Sequence, residues 1–491
     1  MAPRGVVAAG HPLTARAGAD VLRAGGNAVD AALAAMLTSF VAEPLLTGFG
    51  AGGYMLAAFP SRAPILLDFF VEAPGRGADL SARAPLEPVD VSFGDAVQVF
   101  NVGAASCGVY GTPAGIEAAC GRFGSVPLAD LAAPAAALAR EGVAVNAQQA
   151  YLFEILAPIY ESTPEGRAHF DVDGERPREG DVLRDPALAY ALERLGAEGS
   201  APFYTGDIGA AVSDWVLARG GALTRADLAA YATEPREPVR VAYRGRDVLT
   251  NPPLSAGGTL LAYSLALLER GSTGPPDELE LVRVMEAAQA ERTPAFLDGL
   301  AEPGFLARFL GTRLGATTHI SVLDGDGGAC SVTCTNGEGS GLVVPGTGVH
   351  VNNMMGEHDL SPLGFFTHPP GRRLPSMMAP TVALRDGEAE LVLGSAGSNR
   401  IRSALLQVIV NVVDRGMEAQ PAVDAPRLHF EEGLVYVEPG IEVTALEAAG
   451  YTIARFRAPN LFFGGVQAAE RRAGRLSGGG DPRRGGAVVF A

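Results

Sequence analysis

The residues best suited to chemistry gather in one stretch, TTHISVLDGDGGACSVTCTN, which runs from 317 to 336. Two alternating runs, THISVL and ACSVTCT, flank Asp324-Gly325-Asp326-Gly327-Gly328, so the segment reads as a β-hairpin. If those five residues form the loop, Leu323 pairs with Ala329, each opposed pair sums to 652, and Thr317 faces Thr335. Directly opposed residues have Cβ atoms about 4.5–5.5 Å apart, within reach for two hydroxyls.

A threonine hydroxyl becomes a nucleophile only when something takes its proton. His319 is a candidate base, but two residues along the same strand it points parallel to Thr317 rather than at its Oγ. The other route is the residue's own α-amine, with a pKa of about 7.7–8.0. That amine exists only if the chain is cut between Ala316 and Thr317, where Gly315 and Ala316 leave room for backbone and hydroxyl to meet. Residue chemistry alone leaves this reading beside the plain one, a threonine that starts a strand.

Composition removes several other chemistries. The 38 basic residues are all arginine, which excludes a P-loop, a lysine Schiff base to pyridoxal phosphate and a Ser-x-x-Lys nucleophile. Cys107, Cys120, Cys330 and Cys334 show no C-x-x-C spacing and, with seven scattered histidines, no zinc signature. They read as small buried hydrophobes, and neither metal nor cofactor is expected. A net charge of −17 argues against nucleic acid or an anionic membrane surface as partner. With no signal-peptide core at the start and no run of 18 apolar residues, the chain is expected to be cytoplasmic. Gly48-Phe49-Gly50-Ala51-Gly52-Gly53 fits G-x-G-x-x-G, but a helix precedes it and a strand follows, the reverse of a dinucleotide site. Its glycines instead suit close backbone approach or a positive φ.

The elements that must position the hairpin can be read around it. Residues 14 to 42 suggest two helices, the second N-capped by Asn27 and apolar nearly all round, hence buried. Strands YMLAAF and PILLDFF follow. Residues 112 to 270 are mainly helical, with two strands in VRVAYRGRDVLTNPP, and 279 to 310 are helical again. After 316 strands dominate, with one helix in SNRIRSALLQVIVNVV, and residues 75 to 100 read as a surface excursion. At 47 % hydrophobic and 19 % charged residues, the chain can bury the core of a large mixed α+β fold.

ATTHISVLDGDGGACSVTCT resembles the processing segment of the γ-glutamyltransferases, a family of N-terminal-nucleophile hydrolases. GHPLTARAGADVLRAGGNAVDAALAAMLTSFVAEP, GFGAGGYML, YGTPAGIEAA, NPPLSAGG, GSAGSNRI and GGGDPRRGGAV are similar to further family segments, in the same order. The resemblance implies an αββα sandwich of two mainly antiparallel sheets, made as a precursor. Cleavage before Thr317 would give a large segment, 1–316, and a small one, 317–491, which partner each other; a homo-oligomer is also allowed. It further implies that Thr317 attacks a small-molecule γ-glutamyl amide and passes the acyl group to water or an amine. Thr335 matches the threonine that bonds the nucleophile, and Gly397 and Ser398 match the oxyanion pair, commonly Gly-Gly. Glu357 and Ser376 match positions that contact the substrate, and Asn336, one residue before the family's asparagine, is expected to do so too.

Other positions depart from the family. The arginine that usually grips the α-carboxylate is replaced by Phe70 in LLDFFVEAP, Met354 and Met377 replace polar residues, and the expected asparagine after Thr335 comes one residue early, at Asn336. The segment from Glu357 to Ser376 is short for a lid loop. Losing a charge-assisted, bidentate contact removes on the order of 1.5–3 kcal/mol. The readings are therefore a γ-glutamyl hydrolase or transferase, an acylase of the same family taking glutaryl or short oxo-amides, and, from another class, an unprocessed scaffold protein.

Overall fold

The hairpin forms with the expected register. Thr318 pairs with Cys334 and Leu323 with Ala329, so each pair sums to 652. The loop closes where the Asp324 amide donates to the Gly328 carbonyl at 2.9 Å. The Asp324 carboxylate accepts the amides of Asp326 and Gly328 at 3.0 and 2.7 Å. Gly327 takes a φ of +92°, a conformation that favours glycine. The computed structural model describes residues 3–92, 97–271, 274–290, 318–361, 364–397 and 399–491. Thr317, Ser398, the expected cleavage point and the helix expected beyond residue 290 lie outside the described residues.

In chain order the sandwich strands before residue 291 are β1 (Gly5–Ala9), β2 (Gly52–Phe59), β3 (Arg62–Phe69), β4 (Glu234–Arg236), β5 (Val239–Tyr243) and β6 (Arg246–Thr250). After residue 317 come β7 (Thr318–Asp324), β8 (Ala329–Thr335), β9 (Thr381–Arg385), β10 (Glu388–Ala396), β11 (Gly465–Arg472), β12 (Arg475–Gly480) and β13 (Ala487–Phe490). One sheet runs β13-β1-β7-β8-β2-β3-β4 and the other β12-β11-β10-β9-β6-β5, antiparallel throughout. Each sheet thus mixes strands from both parts of the chain.

Helices cover the outer faces and complete the αββα order. Helices α1 (Pro12–Arg23) and α2 (Ala28–Ala42) lie on the first sheet; α3 (Ala256–Gly271), α4 (Glu278–Ala290) and α5 (Arg400–Val413) lie on the second side. α2 is buried on every face, as its apolar sequence requires, and Asn27 and Asp30 form a capping box at its start. Strand alternation divides the core. Ile320, Val322, Val332 and Cys334 face α2, while Leu56, Leu66, Val382 and Val392 pack between the sheets.

Two sequence expectations meet particular outcomes. The glycines of GFGAGG serve close approach: a Cβ on Gly50 would lie 2.0 Å from the His350 carbonyl oxygen. The stretch 75 to 100 does run along the surface, most of residues 76–92 being exposed or half-buried, and it carries strands Glu87–Ser92 and Val97–Val102, paired with each other. Val91, Phe100 and Val102 bury against a helical segment around Phe153, a packing that the local Pro, Gly and Asp content conceals. Cys107, Cys330 and Cys334 are buried free thiols, and burial pushes the last up to about 11. Among the described residues no helix is long and apolar enough to cross a membrane.

Candidate active site

The end of β8 is where the expected site residues converge. Thr335 is buried, and its Oγ accepts the Gly337 amide at 2.8 Å, which bends the chain sharply after the strand. Gly337 takes a φ of +66°, and a Cβ there would meet Asn353 Oδ1 at 2.0 Å and Glu357 Oε1 at 2.9 Å. The turn therefore seats Glu357 beside Thr335 and Asn336. Asn336 is fully buried, and neither its Oδ1 nor its Nδ2 finds a hydrogen-bond partner among the described residues. A buried, unsatisfied amide is costly, and such a group calls for a partner from outside the protein, a water, an ion or a ligand.

His319 is not available as a base. Its Nε2 lies 2.9 Å from Ser321 Oγ, which gives its own hydrogen to the Gln467 carbonyl. Ser321 can thus only accept, so Nε2 carries the proton and Nδ1 accepts from the Thr333 hydroxyl at 2.8 Å. Burial lowers the imidazole to about 3, so it is neutral. Ser331 continues this layer, donating to the Leu393 carbonyl and accepting the Thr381 amide, each at 3.0 Å. The group fastens the two sheets together, and Gly394 leaves the space that the His319 ring fills.

Gly397, after β10, has a φ of +120°, and a Cβ there would lie 2.6 Å from the Gly464 Cα. The Arg484 guanidinium is close by, half-buried, and lowered to about 10 by burial and then by Arg400. Glu338, in the turn that follows Thr335, acts on the same guanidinium and so links the two halves of the site.

Phe70 and Ser376 meet around Tyr54. Phe70 stacks on the Tyr54 ring at 5.4 Å and belongs to an apolar cluster with Met354, Met378 and Leu360. Ser376 Oγ accepts the Met378 amide at 3.1 Å. Gly52, which pairs with Thr335, backs directly onto the Phe70 main chain. Arg373 lies against Phe70 but is engaged: it donates to the Phe70 carbonyl and Tyr231 hydroxyl at 2.5 Å and sits 3.5 Å from Asp68.

The structure adds a group that the sequence reading passed over. Glu43, at the end of α2, is buried, and its carboxylate accepts the Thr14 hydroxyl at 2.9 Å and the Thr318 hydroxyl at 3.1 Å. The signal was a lone carboxylate in the apolar run MLTSFVAEPLL.

Two stacked antiparallel sheets between helices, with a buried polar turn at the end of the central hairpin, define an N-terminal-nucleophile hydrolase fold. The family model described as Gamma-glutamyltranspeptidase matches residues 14–303 and 305–491. The acylase ACY 1 proenzyme of Pseudomonas sp. (strain SE83) is 32 % identical over 489 residues, covering 92 % of this chain and 88 % of that one. The glutathione hydrolase proenzyme of Escherichia coli (strain K12) is 31 % identical over 513 residues, covering 92 % and 86 %. The crystal structure of cephalosporin acylase from Bacillus halodurans superposes with a TM-score of 0.85 at 26 % identity, covering 99 % and 96 %. The chain belongs to the gamma-glutamyltranspeptidase family.

Proposed function

We propose that the chain is a self-processing amidohydrolase and acyltransferase that cuts itself between Ala316 and Thr317 and uses Thr317 as nucleophile. The proenzyme names of both relatives support the cleavage. The interleaving of strands from both parts supports segments 1–316 and 317–491 remaining one folded unit.

In the processed enzyme the Thr317 α-amine takes the proton of its own hydroxyl, and Oγ attacks the amide carbonyl. Backbone N–H groups of Gly397 and Ser398 receive the developing oxyanion. The amine leaves with the proton, and an ester to Thr317 remains. Water or an acceptor amine then attacks the ester and returns the proton to Oγ. Thr335 orients the nucleophile, and Asn336, Glu357 and Ser376 line the acyl site. Asn336 carries this reading: its unsatisfied amide beside Thr335 is built for a polar ligand.

One observation favours an acyl group other than γ-glutamyl. Phe70 is buried in an apolar cluster, and Arg373 beside it is spent on Asp68, Tyr231 and a carbonyl, so neither offers a fork to an α-carboxylate. Short oxo-amides need no such contact, whereas a glutaryl group keeps the same distal carboxylate and lacks only the α-amine.

Gel electrophoresis with N-terminal sequencing tests the cleavage. A fragment beginning TTHISV is expected in the wild type and none in Thr317→Ala; an intact wild-type chain refutes the proposal. Glutaryl- and γ-glutamyl-anilide turnover then tests recognition of the α-amine, the one group in which the two differ, with glutaryl cleavage expected to equal or exceed the other.

A further inference from the structure

We propose that Glu43 is a positioning residue whose carboxylate, by holding the Thr318 hydroxyl, sets the backbone of the preceding residue for self-cleavage. This rests on the Thr317 reading above. The clasp is built from three separate elements. Thr14 on α1 and Thr318 at the start of β7 each donate to a different oxygen, at 2.9 and 3.1 Å. The third wall is Gly10, where a Cβ would lie 2.5 Å from Glu43 Oε2. Thr318 is the second residue after the expected cleavage point, directly following Thr317, and it is pinned within the sheet by its pairing with Cys334. A hydroxyl gripped on the helix-facing side of the sheet leaves Thr318 little freedom to rotate.

Both threonines donate, so the clasp is complete only when the carboxylate is deprotonated. Burial raises Glu43 to about 7, opposed by the hydroxyls of Thr14 and Thr318. Among the described residues no charged side chain contributes to that shift. His11, which caps α1, is lowered to about 4 by burial and so is neutral across the relevant range. The amine of Thr317 is absent before cleavage, so it does not confuse a measurement on the precursor. The sign follows: the clasp tightens as pH rises through about 7. Glutamine has one acceptor and one donor group in place of two acceptors, so Glu43→Gln imitates the protonated form at every pH.

The test follows appearance of the 317–491 fragment from freshly translated full-length precursor between about pH 6 and pH 8.5. Wild-type cleavage is expected to accelerate through about pH 7 and level off. Glu43→Gln and Thr318→Val are expected to be on the order of tenfold to a hundredfold slower at the plateau, the range for a hydrogen bond to a charged group. Both should lack the inflection. The double variant should be no slower than the slower single one, and Thr318→Ser, which keeps the hydroxyl, should restore rate and inflection. Thermal unfolding of each variant in a Thr317→Ala background reads folding apart from cleavage. Unchanged rate and inflection in Glu43→Gln and Thr318→Val overturn the role of Glu43 alone. A wild-type precursor that never cleaves overturns the Thr317 reading and this inference with it.

Discussion

Phe70 stacks on Tyr54, ring centroids 5.4 Å apart and planes 24° from parallel, at the position where the family's carboxylate-binding arginine is expected. Both rings are about 1 % exposed. Phe70→Ala is expected to cost about 3–5 kcal/mol in urea unfolding, because the surrounding methionines and leucines close only partly on the cavity. A loss below about 1 kcal/mol would mean that the ring carries no packing load.

Asn336 should separate stability from function. Replacing a buried amide that has no partner among the described residues removes a desolvation penalty, so Asn336→Ala is expected to leave the thermal midpoint unchanged or higher. The same variant should lose activity on acyl anilides, mainly through a raised KM. A drop in midpoint of several degrees with activity retained would make Asn336 a structural residue.

Gly397 tolerates no side chain. Its φ of +120° and the 2.6 Å approach of Gly464 mean that Gly397→Ala must displace the loop. If that loop carries the oxyanion donors, kcat for a glutaryl anilide falls on the order of a hundredfold or more, with KM little changed. Near-normal kcat in a folded variant would place the oxyanion donors elsewhere.

Acid should weaken the fold through its histidines. Burial lowers His319 to about 3 and His11, His350 and His429 to about 4, from an ordinary value of 6.5. Below pH 6.5 the unfolded chain takes up protons that the folded chain refuses, so stability is full above that pH and falls toward pH 4. Each histidine contributes about 1.4 kcal/mol per pH unit in this window. Glu43 has the opposite sign, taking a proton in the folded state as pH falls through about 7, and offsets one of the four. Thermal midpoints measured from pH 8 to pH 4 should be flat at first and then fall; a flat profile down to pH 4 would contradict the burial of neutral imidazoles.

Local pattern was enough to determine the hairpin, its register and the capped, fully buried α2. Turn chemistry and strand alternation act over a few residues, so they can be read without knowing the partners. The motifs carried family and fold as well, because segments such as GFGAGGYML, NPPLSAGG and GSAGSNRI occur in a fixed order along the chain. Contacts across the sequence were decided by folding. Glu43 and Thr318 lie 275 residues apart and meet only when α2 packs against β7. His319 is disarmed by Thr333 across the hairpin and by Ser321, whose own proton goes to Gln467 on the other sheet. The aromatic and sulfur-rich surroundings of Phe70 come from three distant segments. Burial and hydrogen-bond saturation depend on which surfaces are pressed together, and that belongs to the tertiary structure.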